Sequence, residues 1–197
     1  AGCKNSVIPS DGSVTSIGNF AFSGCSGLTS IIIPDSVTSI GSSAFSGCSG
    51  LTSIMIPDSV TSIGSSAFNN TAYYNDESNW ENDVLYIGNH LIEARDTLSD
   101  TYSIKQRTKT IAAFAFYNCS SLTSITIPES VTSIGYSAFR YGSGLMSVRF
   151  ANPKGWWYTS SSLATRGTSI SSVDLADPYI AATYLRSTYR DYYWRKG

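Results

Sequence analysis

The chain has 197 residues, of which 42% are hydrophobic and 14% charged, with a formal net charge of −1. This is ordinary apolar content with little charge, so no global field favours nucleic acid or an anionic membrane. No apolar run is long enough to span a bilayer, and no secretory signal is visible.

Residues 1–27 hold a unit that starts part-way. Val14-Thr-Ser-Ile-Gly-Asn-Phe-Ala-Phe22 is the second half of a motif that returns complete further on. Starting inside a repeat leaves an apolar end uncovered, which predicts preceding repeats or another covering element. Ala1-Gly2-Cys3 also matches the end of a lipoprotein signal with Cys3 lipidated, but three residues do not support that reading.

The complete motif runs from Leu28 to Phe45, from Leu51 to Phe68 and from Leu122 to Phe139, and the steps Leu28 to Leu51 and Leu122 to Leu145 are each 23 residues. A fixed period of this size marks a solenoid and outranks any local pattern. The skeleton is Leu-x-x-Ile-x-Ile-Pro-x-x-Val-x-x-Ile-Gly-x-x-Ala-Phe-x-x-Cys, a leucine-rich repeat pattern. Leu, Ile and Ile alternate with Thr and Ser as in a short strand. Pro34 and Pro57 end the strands, since proline cannot donate to a ladder. Val37 and Ile40, like Val60 and Ile63, turn inward again, Gly41 and Gly64 make a corner, and Phe45 and Phe68 enter the core from a short helical or 3₁₀ segment.

Residues 74–98 break the period, because Leu51 to Leu122 spans two repeats plus 25 residues. Val84–Ile87 and His90–Ala94 are β-rich runs separated by Gly88-Asn89, a hairpin signal. The expected hairpin projects from, or folds over, one side of the solenoid. Because inserts in repeat arrays often carry binding, deleting it is expected to leave a folded solenoid with less ligand binding. Residues 99–121 resume the repeat in degenerate form, 122–144 are clean, and Leu145–Phe150 is a last strand.

From Ala151 the composition changes. Trp156-Trp157-Tyr158 follows a Pro-Lys-Gly turn, Val173-Asp-Leu175 reads as a possible strand, and Asp177-Pro178 opens a helix with Asp at the N-cap and Pro at N1. That helix, to about residue 190, is read as a cap on the last coil. The chain thus divides into a solenoid at 1–150, with five to six repeats, and a capping region at 151–197.

Cys25, Cys48 and Cys119 share one slot of the repeat, which Thr71 takes in the coil between them. They are read as buried thiols facing the core. Neighbouring coils bring Cα atoms roughly 5 Å apart, which permits a Cys25–Cys48 disulfide, but parallel side-chain vectors disfavour it.

The residues offer little for catalysis. Nucleophile–base chemistry needs a base held by a partner, and the only histidine, His90, is expected to be an exposed turn residue. One histidine and scattered cysteines give no zinc spacing, and no phosphate- or dinucleotide-binding glycine motif is present, so no cofactor is expected. Asp76, Glu77, Glu81 and Asp83 could ligate Ca²⁺ through oxygens, but without EF-hand spacing they read as a solvated acidic loop. Arg186, Arg190, Arg195 and Lys196 interleave with aromatics, a pairing nucleic acid uses, yet a near-neutral chain and a capping role speak against it.

Surface remains. Between the inward positions lie Thr29, Ser30 and Ile32, then Thr52, Ser53 and Met55, then Thr123, Ser124 and Thr126. The row Ile32, Met55, Ser103, Thr126 and Arg149 runs along the middle of the expected sheet, and Trp80 and Tyr86 of the insert join it as candidate contact residues.

The repeated motif closely resembles the BspA-like (treponemal-type) leucine-rich repeat family over roughly residues 5–150. The insert, through Asn79-Trp-Glu-Asn-Asp-Val-Leu-Tyr-Ile-Gly-Asn89 and Tyr102-Ser-Ile-Lys105, resembles inserts between repeats of such proteins in gut-type bacteria, and Cys3–Pro9 looks like the exit from another insert. The resemblance implies a curved solenoid with a parallel sheet on its concave face; with the residue reading this gives an α/β repeat solenoid, a right-handed superhelix with short helical or 3₁₀ segments, a β-hairpin insert and a C-terminal capping helix. It also implies a cell-surface or secreted protein that adheres to host matrix protein, cell-surface protein or glycan, with no catalytic residues, no nucleic acid and no membrane insertion. A spacer that lifts another domain off the surface is the alternative. An enzyme acting on carbohydrate through the insert carboxylates and Trp80, Trp156 or Trp157 is the third.

Overall fold

The computed structural model of the chain describes residues 3–4 and 6–197. Ala1 and Gly2 of the lipidation reading, and Asn5 within the Cys3–Pro9 reading, lie outside the described residues. The fold is a β-solenoid with short parallel ladders. The first coils carry β1 (Ser16–Ile17), β2 (Ser30–Ile32), β3 (Ser39–Ile40), β4 (Ser53–Met55) and β5 (Ser62–Ile63). Strand β1 pairs with β3 and β3 with β5, while β2 pairs with β4, all parallel and displaced by one repeat. Each coil therefore has two strands on two sides, as the two Ile-containing segments of the motif require.

The inward letters meet in one core. Leu28, Ile31, Ile33, Val37, Ile40, Ala44 and Phe45 are buried, as are their equivalents one repeat on, except Ile54, which is half-buried. Phe22 stacks on Phe45 with ring centroids 5.0 Å apart, and Phe45 on Phe68 at 5.4 Å. The corner glycines have a reason other than the expected one. None of Gly41, Gly64 and Gly135 has positive φ. A Cβ there would strike the backbone of the previous coil at Asn19, Ser42 or Ala113. The left-handed residues come two positions later, at Ser43, Ser66 and Ser137. Ala112 fills the glycine slot in the degenerate repeat, where the preceding strand belongs to the insert.

The insert forms the expected hairpin, but it neither projects from nor folds over one side of the solenoid. After α1 (Ala72–Asn75), capped by Thr71, and a 3₁₀ turn at Glu77–Asn79, come β6 (Trp80–Glu81), β7 (Val84–Ile87) and β8 (His90–Ala94). They form an antiparallel meander, with Asn82 and Asp83 both at positive φ in the first turn. Val84, Leu85, Ile87 and Leu91 are buried in the common core. Strand β8 then pairs in parallel with β10 (Thr110–Ile111), His90 opposite Thr110 and Leu91 opposite Ile111. The hairpin thus serves as a rung of the solenoid. Its two consecutive apolar strands have both faces to bury, which a projecting hairpin lacks.

The later coils carry β9 (Asp100–Ser103), β10, β11 (Leu122–Ile127), β12 (Ser133–Ile134) and β13 (Ser147–Phe150), in parallel ladders β9–β11–β13 and β8–β10–β12. The tail adds β14 (Trp156–Thr159), β15 (Thr168–Ser169), α2 (Ser172–Ala176), α3 (Pro178–Thr183), a π-turn at Tyr184–Thr188 and β16 (Tyr193–Lys196). Val173–Leu175 is therefore helical instead of a strand, because the Ser171 hydroxyl accepts from the Asp174 amide and caps α2. The Asp177 carboxylate accepts from the Tyr179 and Ile180 amides, with Pro178 in the first turn. Helix α3 packs on β13, and β16 runs antiparallel to β12 and covers the edge of its ladder. Trp156, Trp194, Leu175 and Leu185 fill the space between.

Candidate binding surface

In β2 and β4 the side chains alternate, so Ile31 points inward and Ile32 outward. Ile32 stands opposite Met55 in register, and the two are 70% and 64% exposed. Ser103, Thr126 and Arg149 are likewise register partners across β9, β11 and β13, with Ser103 and Arg149 exposed and Thr126 half-buried. The expected row is thus two blocks in two separate sheets. The hairpin bridges the two groups of coils. Tyr73 Oη donates to the Tyr86 carbonyl at 3.0 Å, and the Tyr86 and Tyr102 hydroxyls pair at 2.9 Å.

The two insert candidates differ in exposure. Tyr86 is a correction: it is buried, its hydroxyl held by Tyr102 and its ring covered by the Lys105 ammonium 4.4 Å from the centroid. Burial pushes its pKa up. Trp80 is half-buried, with Nε1 donating to the Tyr74 carbonyl at 2.8 Å and the Arg95 guanidinium 4.3 Å from the ring centroid.

His90 is a second correction. It is buried in β8, and Nε2 lies 3.1 Å from the Pro57 carbonyl oxygen. A carbonyl only accepts, so Nε2 carries the proton and Nδ1 is left enclosed without a donor. Desolvation holds the imidazole below its ordinary pKa. A neutral ring sealed in a sheet orients nothing for catalysis.

The cysteine slot divides. Cys48 and Cys119 are buried free thiols, with burial pushing Cys119 up to about 12. Cys25 departs from the expectation: it is joined to Cys3, their Cα atoms 5.5 Å apart. The acidic loop meets cations and amides. Arg95 pairs with Glu77 at 2.6 Å, Lys105 with Glu81 at 2.9 Å, and Asp76 caps the turn at Ser78. Among the described residues no group of three or more His, Cys, Asp or Glu is placed to hold a metal ion.

Sequence reasoning missed one feature made by the insert. In the regular coils the amides of Ser43, Phe45 and Gly47 donate to the carbonyls of Ser65, Ala67 and Asn69 one repeat on. The equivalent amides of Ser66, Phe68 and Asn70 find no acceptor among the described residues, because the hairpin takes the next place and Ala94 donates to Ala115 instead. A cavity of about 390 Å³ opens there, walled by Ser66, Asn69, Phe114 and Tyr117 and floored by Glu93. Burial raises the Glu93 pKa, and the Tyr74 hydroxyl donates to it at 2.8 Å. The signal was the insert's position, directly after the Ala67-Phe68 turn.

The family model for BspA type leucine rich repeat regions matches residues 1–101 and 96–180, with 6 copies. The chain belongs to this family. Among solved structures, this BspA-type chain is similar to the leucine rich repeat protein of T. pallidum, with 31% identity over 73% of this chain and 56% of that one, and a TM-score of 0.38. A leucine rich cell surface protein of Faecalibacterium prausnitzii shares 28% identity over 71% of this chain and 52% of that one, with a TM-score of 0.37. The pneumococcal vaccine antigen PcpA shares 21% identity over 68% and 42%, with a TM-score of 0.36. The chain spans about half the length of the first two solved structures. No curated protein matches it. The BspA-type assignment rests on the repeats themselves. No helix is long and apolar enough to cross a membrane among the described residues.

Proposed function

We propose that this BspA-type protein is a non-catalytic surface or secreted binding module, with residues 1–150 as the binding solenoid and 151–197 as its cap. It adheres to host or bacterial protein or to glycan through the outward strand face, with Ile32, Met55, Ser103, Thr126 and Arg149 as contact residues and the insert alongside. The carrying observation is the register pair Ile32–Met55: two large apolar side chains face water on strands whose other outward positions are Thr and Ser. Clustered exposed apolar groups mark interaction sites, whereas isolated ones need no explanation. The cell-surface description of the Faecalibacterium prausnitzii relative agrees with this location.

A spacer is the second reading, favoured by how the threonines spend their hydroxyls. Thr52 and Thr123 donate to the carbonyls of Thr29 and Asp100 in the preceding coil, at 3.3 and 2.8 Å. Those groups strengthen the stack and are not turned to a ligand. Surface plasmon resonance against purified host matrix proteins and an immobilised glycan array separates the two. Saturable binding supports the adhesion module, and no binding to any member supports the spacer.

A further inference from the structure

The tail holds a buried cation that no ion pair among the described residues neutralises. Arg195 of β16 lies between Ser133 of β12 and Trp157 of β14 and is 7% exposed. Its Nη1 donates to Ser133 Oγ at 3.0 Å and to the Trp194 carbonyl at 3.1 Å, and its Nη2 to the Ser162 carbonyl at 3.1 Å. All three acceptors are neutral. The ion pairs among the described residues involve Arg95, Lys105, Arg140 and Arg190, and none reaches Arg195. Burial pulls its pKa down to about 10. Neutral hydrogen bonds satisfy donors without cancelling charge, and an uncompensated buried charge is costly. A guanidinium has five N–H donors, so Nε–H and one Nη2–H are left over, and Nε is not among the enclosed orphan atoms.

Arg195 also lines a cavity of about 310 Å³ between the tail and the Thr side of the early coils. Thr38, Thr61, Thr132 and Trp157 form one part of its walls and the 162–165 loop, with Leu163 and Ala164, the other, and no carboxylate lines it. The three threonine hydroxyls donate to carbonyls of neighbouring coils at 3.3, 3.4 and 3.5 Å, and each oxygen keeps lone pairs that can accept from a ligand hydroxyl. One buried cation, an indole, a set of hydroxyls and two apolar side chains meet at this space, while the Lys196 ammonium turns to the other face of β16, 6.0 Å from the Trp156 centroid.

We propose that this cavity binds an acidic saccharide, with Arg195 taking its carboxylate or sulfate group. The guanidinium has two donors to offer an oxyanion, the geometry that suits bidentate pairing. The indole of Trp157 and the threonine hydroxyls fit a hydroxyl-bearing ring more than an acidic peptide side chain. The site is separate from the Ile32–Met55 face, and neither claim depends on the other.

Calorimetric titration at fixed ionic strength tests it, with sodium glucuronate, sodium sulfate, glucose and a poly-glutamate peptide as probes. Glucuronate is expected to bind saturably, sulfate more weakly and glucose not at all. Arg195→Gln should abolish glucuronate binding, and Arg195→Lys, which keeps the charge and loses the planar fork, should weaken it at least ten-fold. Should Arg195→Gln fail to fold, Arg195→Lys and Thr61→Val carry the test, each with the melting temperature measured beside it. Absence of glucuronate binding, or equal binding by the folded variants, overturns the site. Tighter binding of poly-glutamate than of glucuronate overturns the saccharide.

Discussion

The hydroxyls of Tyr86 and Tyr102 meet at 2.9 Å, joining the insert to the coil that follows it. Tyr73, in the coil before, donates to the carbonyl of the same Tyr86. The insert therefore holds the two groups of coils together, and this changes what its removal should do.

Deleting residues 74–98 strips Val84, Leu85, Ile87 and Leu91 from the core and leaves β10 paired with β12 alone. Four large buried side chains at about 1.5–3 kcal/mol each exceed half of a typical domain's stability. The expected outcome is loss of the cooperative melt and gain of dye binding to exposed apolar surface. A deletion variant that melts like the parent contradicts the structural role of the hairpin.

Phe45 is fully buried between Phe22 and Phe68 in a stacked ladder. Phe45→Ala should cost about 3–5 kcal/mol, since the ring leaves a cavity that coils on either side cannot close. Urea denaturation followed by circular dichroism measures it. A shift under about 1 kcal/mol would place the ring outside the core.

His90 and Glu93 give opposing pH dependences from one strand. Burial holds His90 below its ordinary value of 6.5, so the unfolded chain binds more protons as pH drops. Its contribution is complete above that value and is lost as pH falls through the folded one. Burial pushes Glu93 above its ordinary 4.5, so its contribution is present below that value and is lost as pH rises through the folded one. Relative to the parent, His90→Gln should lose less melting temperature between pH 7 and 5, and Glu93→Gln should lose less as pH rises from 4.5. Profiles parallel to the parent across those windows would count against the burial of each group.

The cysteine pairing is checked chemically. Peptide mapping without reduction should give one cross-link, Cys3 to Cys25, with Cys48 and Cys119 recovered as thiols only after unfolding. Reduction should destabilise the first coil by about 3 kcal/mol, the value for closing a loop of this length. A Cys25–Cys48 link would restore the other pairing.

What was legible in the residues follows from what the period constrains. Leu51 to Phe68 specifies inward and outward positions because each must stack on its copy one repeat away, so the ladders and the Phe stack could be read directly. The insert has no copy, and its burial depends on coils distant in sequence, so His90 and Tyr86 read as surface groups. Asn82-Asp83 was a hairpin turn signal in plain view. Cys3 lies before the first recognisable motif, so no spacing rule related it to Cys25. Arg195 reads as one of several tail cations until β16 is seen folded against β12.

The adhesion proposal turns on the outward face of β2 and β4. The most direct measurement is the affinity of the best ligand from the matrix-protein and glycan screen for the parent and for Ile32→Asp/Met55→Asp. Both side chains are exposed, so the double variant should keep the parent's melting temperature. Losing two apolar contacts of about 1.5 kcal/mol each predicts affinity weaker by about 100-fold. Unchanged affinity in a folded double variant would contradict the account.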